Sequence, residues 1–347
     1  MTPFPLARTS CRVNVVLTKT TAMTMRAARH ERYGDPDVLR LDTVERPIPS
    51  ADEVLVEVHV STVNRTDCGF RLPRPFFVRC FSGLRRPKYP TLGTEFAGIV
   101  VDTGTNVTRF EVGDRVFGVN ERFGANAEFM TIAQDVSVAT MPDDRSFTEM
   151  AAVADGGILA MTGLDWSGLH AGQRILIYGA SGAIGTSAVQ LAKHIGAHVT
   201  AVCNTTNIEV VSSLEPDVVI DYTTSDFTAT GETYDVVFDA VGKSSFRKCR
   251  RLVRRGGRYV SSDLGFMWQN PFLALATLRF APKQVQMPIP KYTQDKVVTL
   301  RALVESGDFR AVIDRVYPLD DIVEATRYVE TGQKTGNVVL SVSGGAR

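Results

Sequence analysis

Between Met25 and about Met150, apolar and polar positions alternate over short stretches. Val54, Val56, Val58 and Val60 occupy one side of a two-residue period, with Leu55, Glu57 and His59 on the other, which predicts a half-buried strand. Short strands separated by turn residues predict an irregular β region. From about Ala151 the texture changes to strand and helix in alternation. Strands are expected at Arg174–Tyr178, His198–Val202, Val218–Ile220, Val236–Asp239 and Arg258–Ser261, and helices at Ile184–Ile195, Asn207–Leu214 and, strongly basic, Phe246–Val253. Such alternation predicts a parallel sheet covered by helices on both faces. After about Pro290 come expected helices Thr293–Glu305 and Asp320–Glu330 and a closing strand Asn337–Val342, which needs a partner sheet and is expected to return to the first β region.

Composition narrows the partners. The chain has 347 residues and a net charge of +1 from 39 Lys plus Arg against 38 Asp plus Glu, leaving no overall excess of positive charge for nucleic acid or an anionic membrane. Five cysteines, Cys11, Cys68, Cys80, Cys203 and Cys249, are scattered and encode neither a disulfide framework nor a zinc ribbon, which points to a reducing, cytoplasmic setting. The most apolar windows are broken by Asp155 or Arg279, short of the 18 or so residues that cross a bilayer. Before the first acidic residue, Glu31, stand Arg8, Arg12, Lys19, Arg26 and Arg29, a composition similar to an import presequence. VNVVLT is too short for a signal core and no amphipathic stripe is visible, so residues 1–24 read as a disordered extension ahead of a folded start at Met25.

The strongest chemical signal is RILIYGASGAIGTSAVQLAKHIGAHVTAV. Gly179, Gly182 and Gly185 lie between an apolar strand and a helix, as a pyrophosphate turn requires, so Gly179, Ala180, Ser181, Gly182, Ala183, Ile184 and Gly185 are expected to cradle a dinucleotide at the helix N-terminus. An NAD site usually presents a carboxylate to the adenosine ribose about 20 residues on. Here stand Cys203, Asn204, Thr205, Thr206 and Asn207, so NADP(H) is favoured, held by these polar groups and by Lys193 from the preceding helix. Thr206 and Glu209 also match a capping box, which would start a helix rather than hold a ligand.

From Met25 to its end the chain resembles the medium-chain dehydrogenase/reductase superfamily, in the zinc-independent quinone oxidoreductase (zeta-crystallin-like) branch. The matching segments are MRAARHERYG, PIPSADEVLVEV, VNRTD at Val63–Asp67, GTEFAGIV at Gly93–Val100, FEVGDRVFG, the glycine loop, VVFDAVG ending at Gly242, and TGNVVL ending at Leu340. The resemblance implies a GroES-like β-rich catalytic domain (residues 25–150 and 291–347) into which a Rossmann doubly wound parallel sheet (151–290) is inserted. It extends the cofactor cleft to Ala240, Val241, Gly242 and Asn337. It also implies a homodimer joined through the Rossmann sheet edge.

Zinc members of the superfamily carry Cys where this chain has Asn64 and His where it has Thr94. An amide and a hydroxyl are poor zinc ligands, and no Cys between Cys80 and Cys203 could build a structural zinc lobe, so no metal is expected. Glu95 reads as a buried structural carboxylate. Without a Lewis acid the chemistry that fits is hydride delivery to an electron-poor acceptor, a quinone or an α,β-unsaturated carbonyl. Asn64 would donate to the substrate oxygen, Thr66 relay a proton and Asp67 orient them; each residue could instead serve the turn alone. Where some members place a Tyr, this chain has Gly69, so the proton donor is unassigned. Two insertions, Leu72–Pro90 and Leu264–Pro282 with Phe266, Met267, Trp268, Phe272 and Phe280, are expected to cover the cleft and to suit a bulky hydrophobic substrate or a subunit contact. The alternatives are an enoyl-thioester or alkenal reductase and, in another class, a non-catalytic NADPH-binding protein.

Overall fold

The computed structural model describes residues 23–74, 76–263, 269–277 and 281–343. The expected extension lies outside the described residues except for its last two, and Thr24 already opens the first strand. Phe266, Met267, Trp268 and Phe280 of the second insertion also lie outside them.

Strands β1 (Thr24–Arg29) and β2 (Arg40–Glu45) pair as an antiparallel ribbon. Next come β3 (Glu53–Val63), helices α1 (Arg65–Arg71) and α2 (Arg79–Ser82), and strands β4 (Glu95–Thr103), β5 (Arg115–Val119), β6 (Phe129–Ala133) and β7 (Val138–Thr140). Helices α3 (Phe147–Ala151) and α4 (Ala154–Ser167) lead into a second sheet. Its strands are β8 (Arg174–Tyr178), β9 (His198–Cys203), β10 (Val218–Asp221), β11 (Tyr234–Asp239), β12 (Val253–Ser261) and β13 (Gln284–Gln286). Helices α5 (Ala183–Ile195), α6 (Ile208–Ser212), α7 (Phe246–Cys249) and α8 (Gln269–Ala276) connect them. The chain closes with α9 (Gln294–Ser306), β14 (Ile313–Pro318), α10 (Ile322–Glu330) and β15 (Asn337–Ser341).

The middle sheet is parallel, in the order β10-β9-β8-β11-β12-β13. The order reverses between β8 and β11, the switch point where a doubly wound sheet opens a ligand crevice. The other sheet runs β14-β15-β3-β4-β5-β7, with β6 also on β3, and β15 lies antiparallel to β3. One apolar cluster joins the two sheets: Val60, Phe117 and Val339 share it with Ile158 and Leu164 of α4, Ile175 and Ile177 of β8 and Leu300 of α9. Each such side chain contributes about 1.5–3 kcal/mol by leaving water.

α4 is the principal helix that periodicity misses. Its residues are small or apolar on every face and ten of its fourteen are buried, so no polar stripe marks it. The expected basic helix over Phe246–Val253 ends at Cys249, because Val253 pairs with Tyr234 and opens β12. The capping box expected at Thr206 does not form either: Thr205–Asn207 is a 3-10 turn and α6 starts at Ile208 without a side-chain cap.

The glycine loop is shaped by contact as well as by backbone freedom. Gly179 has φ +79°, and a Cβ on Gly185 would lie 2.1 Å from the Gly179 carbonyl oxygen. Substituting Gly185→Ala therefore pushes α5 off β8, and urea unfolding should report a loss of about 1–3 kcal/mol, the usual cost of overpacking.

Candidate active site

β3 ends at Val63, and Asn64 turns the chain into α1 as its N-cap. Asn64 Oδ1 accepts from the Asp67 N–H (3.0 Å) while Asp67 Oδ2 accepts from the Asn64 N–H (2.9 Å), a reciprocal capping box. The other Asp67 oxygen accepts from the Gly93 N–H at 2.9 Å. Burial pushes the Asp67 carboxyl up to about 7 against the pull of these two N–H groups. Asp67 thus orients Asn64 through the backbone and does not face the cleft as a charged group. Thr66 is exposed on the first turn of α1 and is not drawn into this network.

With its oxygen committed to the cap, Asn64 turns its amide nitrogen towards Thr94 and Asp155. Nδ2 donates to Thr94 Oγ1 at 2.9 Å and stands 3.5 Å from Asp155 Oδ2. Asp155 opens α4, and its other oxygen accepts from Tyr292 Oη at 2.6 Å. Glu95 accepts from the Asp155 N–H (2.8 Å) and from Thr62 Oγ1 (2.6 Å). Desolvation raises the pKa of both carboxyls, and for Glu95 the nearby Asp155 charge adds to it; Lys334 draws Asp155 the other way. Tyr292 is likewise raised above the ordinary phenol range, by burial first and then by the Asp155 charge. Asp155 was visible in sequence only as an interruption of an apolar window; Tyr292 carried no local signal.

The glycine loop faces a second group of residues. Gly179, Ser181, Gly182, Asn204, Asn207, Val241, Lys243 and Lys334 bound a cavity of about 90 Å³. It shares Tyr178 and Tyr222 with an adjoining groove of about 390 Å³ that reaches Phe227 and Lys248. The N-cap of α5 is Gly182, with no side chain on the helix N-terminus, and Asn204 Oδ1 is buried without a hydrogen-bond partner. An uncapped helix end, an open glycine and an orphaned acceptor fit a dinucleotide. Ala180 is buried beneath the loop, and Ala183 and Ile184 start the helix half-buried. Asp239 Oδ1 holds the Val241 and Gly242 N–H groups, shaping the turn after β11, and the Ala240 N–H donates to the Tyr178 carbonyl.

Three expectations for this cleft are corrected. Lys193 lies in the last turn of α5, the end opposite the glycine loop, and pairs with Asp217 at 3.0 Å. Asn337 is buried and spends its amide on the carbonyls of Ala152 (3.0 Å) and Val312 (3.3 Å). A carboxylate does stand near the end of β9: Asp221, from the neighbouring strand, accepts from Thr205 Oγ1 at 2.6 Å, and these hydrogen bonds keep it ionised. Thr206 is exposed, and Asn207 Oδ1 accepts from Thr335. Lys243 and Lys334, rather than Lys193, line the cavity, and burial disfavours the charged form of Lys334.

The donors around Asn64 do not fit zinc. The amide and the Thr94 hydroxyl bond each other, Asp155 and Glu95 are engaged by Tyr292, Thr62 and a backbone N–H, and among the described residues no group of three or more His, Cys, Asp or Glu could hold a metal. A carboxyl whose folded pKa is raised contributes stability that is complete below its unfolded pKa and is lost as pH rises towards the folded one. Urea unfolding should accordingly show stability falling between pH 5 and pH 8, with a shallower fall in Glu95→Gln, whose amide can still accept from the Asp155 N–H.

The sequence matches the family descriptions "Alcohol dehydrogenase GroES-like domain" over residues 50–162 and "Zinc-binding dehydrogenase" over residues 214–340. It is 31% identical over 329 residues to 2-methylene-furan-3-one reductase from Solanum lycopersicum, covering 91% of this chain and 79% of that protein. It is 31% identical over 339 residues to a chloroplastic quinone-oxidoreductase homolog from Spinacia oleracea, covering 92% and 99%. The quinone oxidoreductase of Coxiella burnetii has the same fold, with a TM-score of 0.82 over 92% of this chain and 100% of that one at 24% identity. With a parallel sheet set between strands of a GroES-like sheet, and relatives 31% identical over more than nine-tenths of the chain, the chain belongs to the medium-chain dehydrogenase/reductase superfamily, in its quinone oxidoreductase branch.

Proposed function

We propose that this protein is an NADPH-dependent oxidoreductase that reduces a quinone or an α,β-unsaturated carbonyl without zinc. The observation that carries the reading is the Asn64 amide, fixed by its own cap and aimed at Thr94 and Asp155 instead of at a metal. Relatives named as a 2-methylene-furan-3-one reductase, a quinone oxidoreductase homolog and an NADPH-dependent alkenal/one oxidoreductase support the acceptor class and the cofactor.

Residues of the glycine loop, Asn204, Val241 and Lys243 would hold the dinucleotide, whose chemistry is the supply of a hydride. Asn64 Nδ2 donates to the acceptor oxygen on which negative charge develops, a task for a preorganised donor in a site screened from water. Tyr292 Oη, hydrogen-bonded to Asp155, holds a proton beside that amide and can pass it towards the oxygen. In this reading Asp67 positions Asn64, and Thr66 takes no part.

Nicotinamide absorbance with a quinone, an enal and a 2-enoyl thioester tests the activity, and turnover lost on chelation would overturn the zinc-free reading. Asn64→Ser keeps a capping acceptor but removes the amide donor and shortens the side chain, so kcat should fall by about 10²-fold with the melting temperature held. Tyr292→Phe should lower kcat and shift its pH profile. Unchanged kcat in both variants would remove the pair from the mechanism.

Asp221 opposes a 2′-phosphate beside Thr205. At close range a unit charge weakens the binding of a like-charged group, and here that repulsion falls on the extra phosphate of NADPH alone. Asp221→Asn should therefore raise the NADPH-to-NADH ratio of kcat/KM by at least about fivefold. An unaltered ratio would mean that the ribose does not reach Thr205.

A further inference from the structure

The net charge of the whole chain conceals a local imbalance. Between Asp67 and Glu95 there is no acidic residue, and both of these carboxylates are buried. The intervening segment carries Arg74, Arg85, Arg86 and Lys88, all exposed. Arg71 of the same stretch is buried against Glu330 and the Gly34 carbonyl, so it does not add to the exposed charge.

The same segment exposes apolar side chains that its own fold leaves outside. Phe76 is 70% exposed, Phe81 65% and Leu84 64%, while the rings of Phe70 and Tyr89, nearer its ends, pack tilted against Phe123 with centroids 4.7 and 5.1 Å away. The excursion is ordered by contacts rather than loosely hung. Tyr33 Oη donates to the Gly83 carbonyl at 2.5 Å, the Lys88 N–H donates to the Ser82 carbonyl at 2.7 Å, and the Arg79 guanidinium lies over the Tyr33 and Phe76 rings. Its base is closed by Asp67, which holds the Gly93 N–H beside the Asn64 turn.

We propose that residues 76–88 dock this protein onto the interfacial region of an anionic lipid bilayer, with Phe76, Phe81 and Leu84 entering the headgroup layer and Arg74, Arg85, Arg86 and Lys88 against its phosphates. Charge complementarity selects this occupant. Interfacial attachment takes two signals, an apolar one and a polybasic one, and the segment carries both. A nucleic-acid site could use the cations and stack bases on the outward Phe rings, but it would leave the equally exposed Leu84 without a partner. The overall neutral balance counts against a membrane surface, and the proposal rests instead on the local distribution of charge in this segment. Docking does not depend on which acceptor the enzyme reduces, so its test is a binding measurement.

The full chain is sedimented with vesicles of phosphatidylcholine alone, and with vesicles of phosphatidylcholine and phosphatidylglycerol in equal parts. Partitioning should be at least about tenfold stronger to the anionic vesicles and should fall as salt is raised over the range that screens surface charge. The double variants Phe81→Ser/Leu84→Ser and Arg85→Ser/Arg86→Ser should each lose at least about tenfold of that partitioning with melting temperatures unchanged. Absence of vesicle binding, or binding that neither double variant weakens, would overturn the proposal. So would a wild-type dimer that Phe81→Ser/Leu84→Ser dissociates, since the face would then belong to a second copy of the chain.

Discussion

A carboxylate removed from water must be met by donors, and Asp67 is met at both oxygens by backbone N–H groups from two separate segments. One belongs to Asn64, where β3 gives way to α1, and the other to Gly93, just before β4. This single buried group sets the angle at which α1 leaves the sheet, closes the excursion between the helices and brings Thr94 against Asn64. Desolvation and hydrogen bonding act on it in opposite directions, and desolvation prevails, lifting the carboxyl to about 7.

Asn64 explains why an amide suits this position. The turn needs an acceptor for the Asp67 N–H, and the cleft needs a donor towards Thr94 and Asp155. Asp could meet the first need but has no donor, and Ser has one short hydroxyl for both tasks, whereas Asn carries a separate acceptor and donor on one side chain. The carboxylates around it each have partners of their own: Tyr292 on Asp155, Thr62 on Glu95, and the field of Lys334 over both.

What the sequence made legible is what is local. The turn between β8 and α5, the parallel sheet and the loss of zinc ligands at Asn64 and Thr94 all follow from short segments whose spacing carries the chemistry. The Tyr292–Asp155 hydrogen bond joins residues 137 apart, and no periodicity or motif encodes it. Asp221 was overlooked for a related reason: it reaches Thr205 from the adjacent strand, not from the one that carries the usual ribose contact. Lys193 looked close because its helix starts at the glycine loop, yet its turn lies at the far end. α4 escaped because a helix buried on all sides has no polar face to set its period.

Asn337 was expected to touch cofactor and instead ties together two places where the chain passes between the sheets. Its side chain donates to Ala152, ahead of α4 on the way into the parallel sheet, and to Val312, ahead of β14 on the way out. Beside it, the Gly336 N–H donates to the Ser181 carbonyl at 2.7 Å, so the returning strand also meets the glycine loop. Since both crossings are gathered at one knot, the parallel sheet is attached to the rest of the molecule much as a plug is to a socket. A side chain at this one position therefore bears on both the entry to and the exit from the parallel sheet.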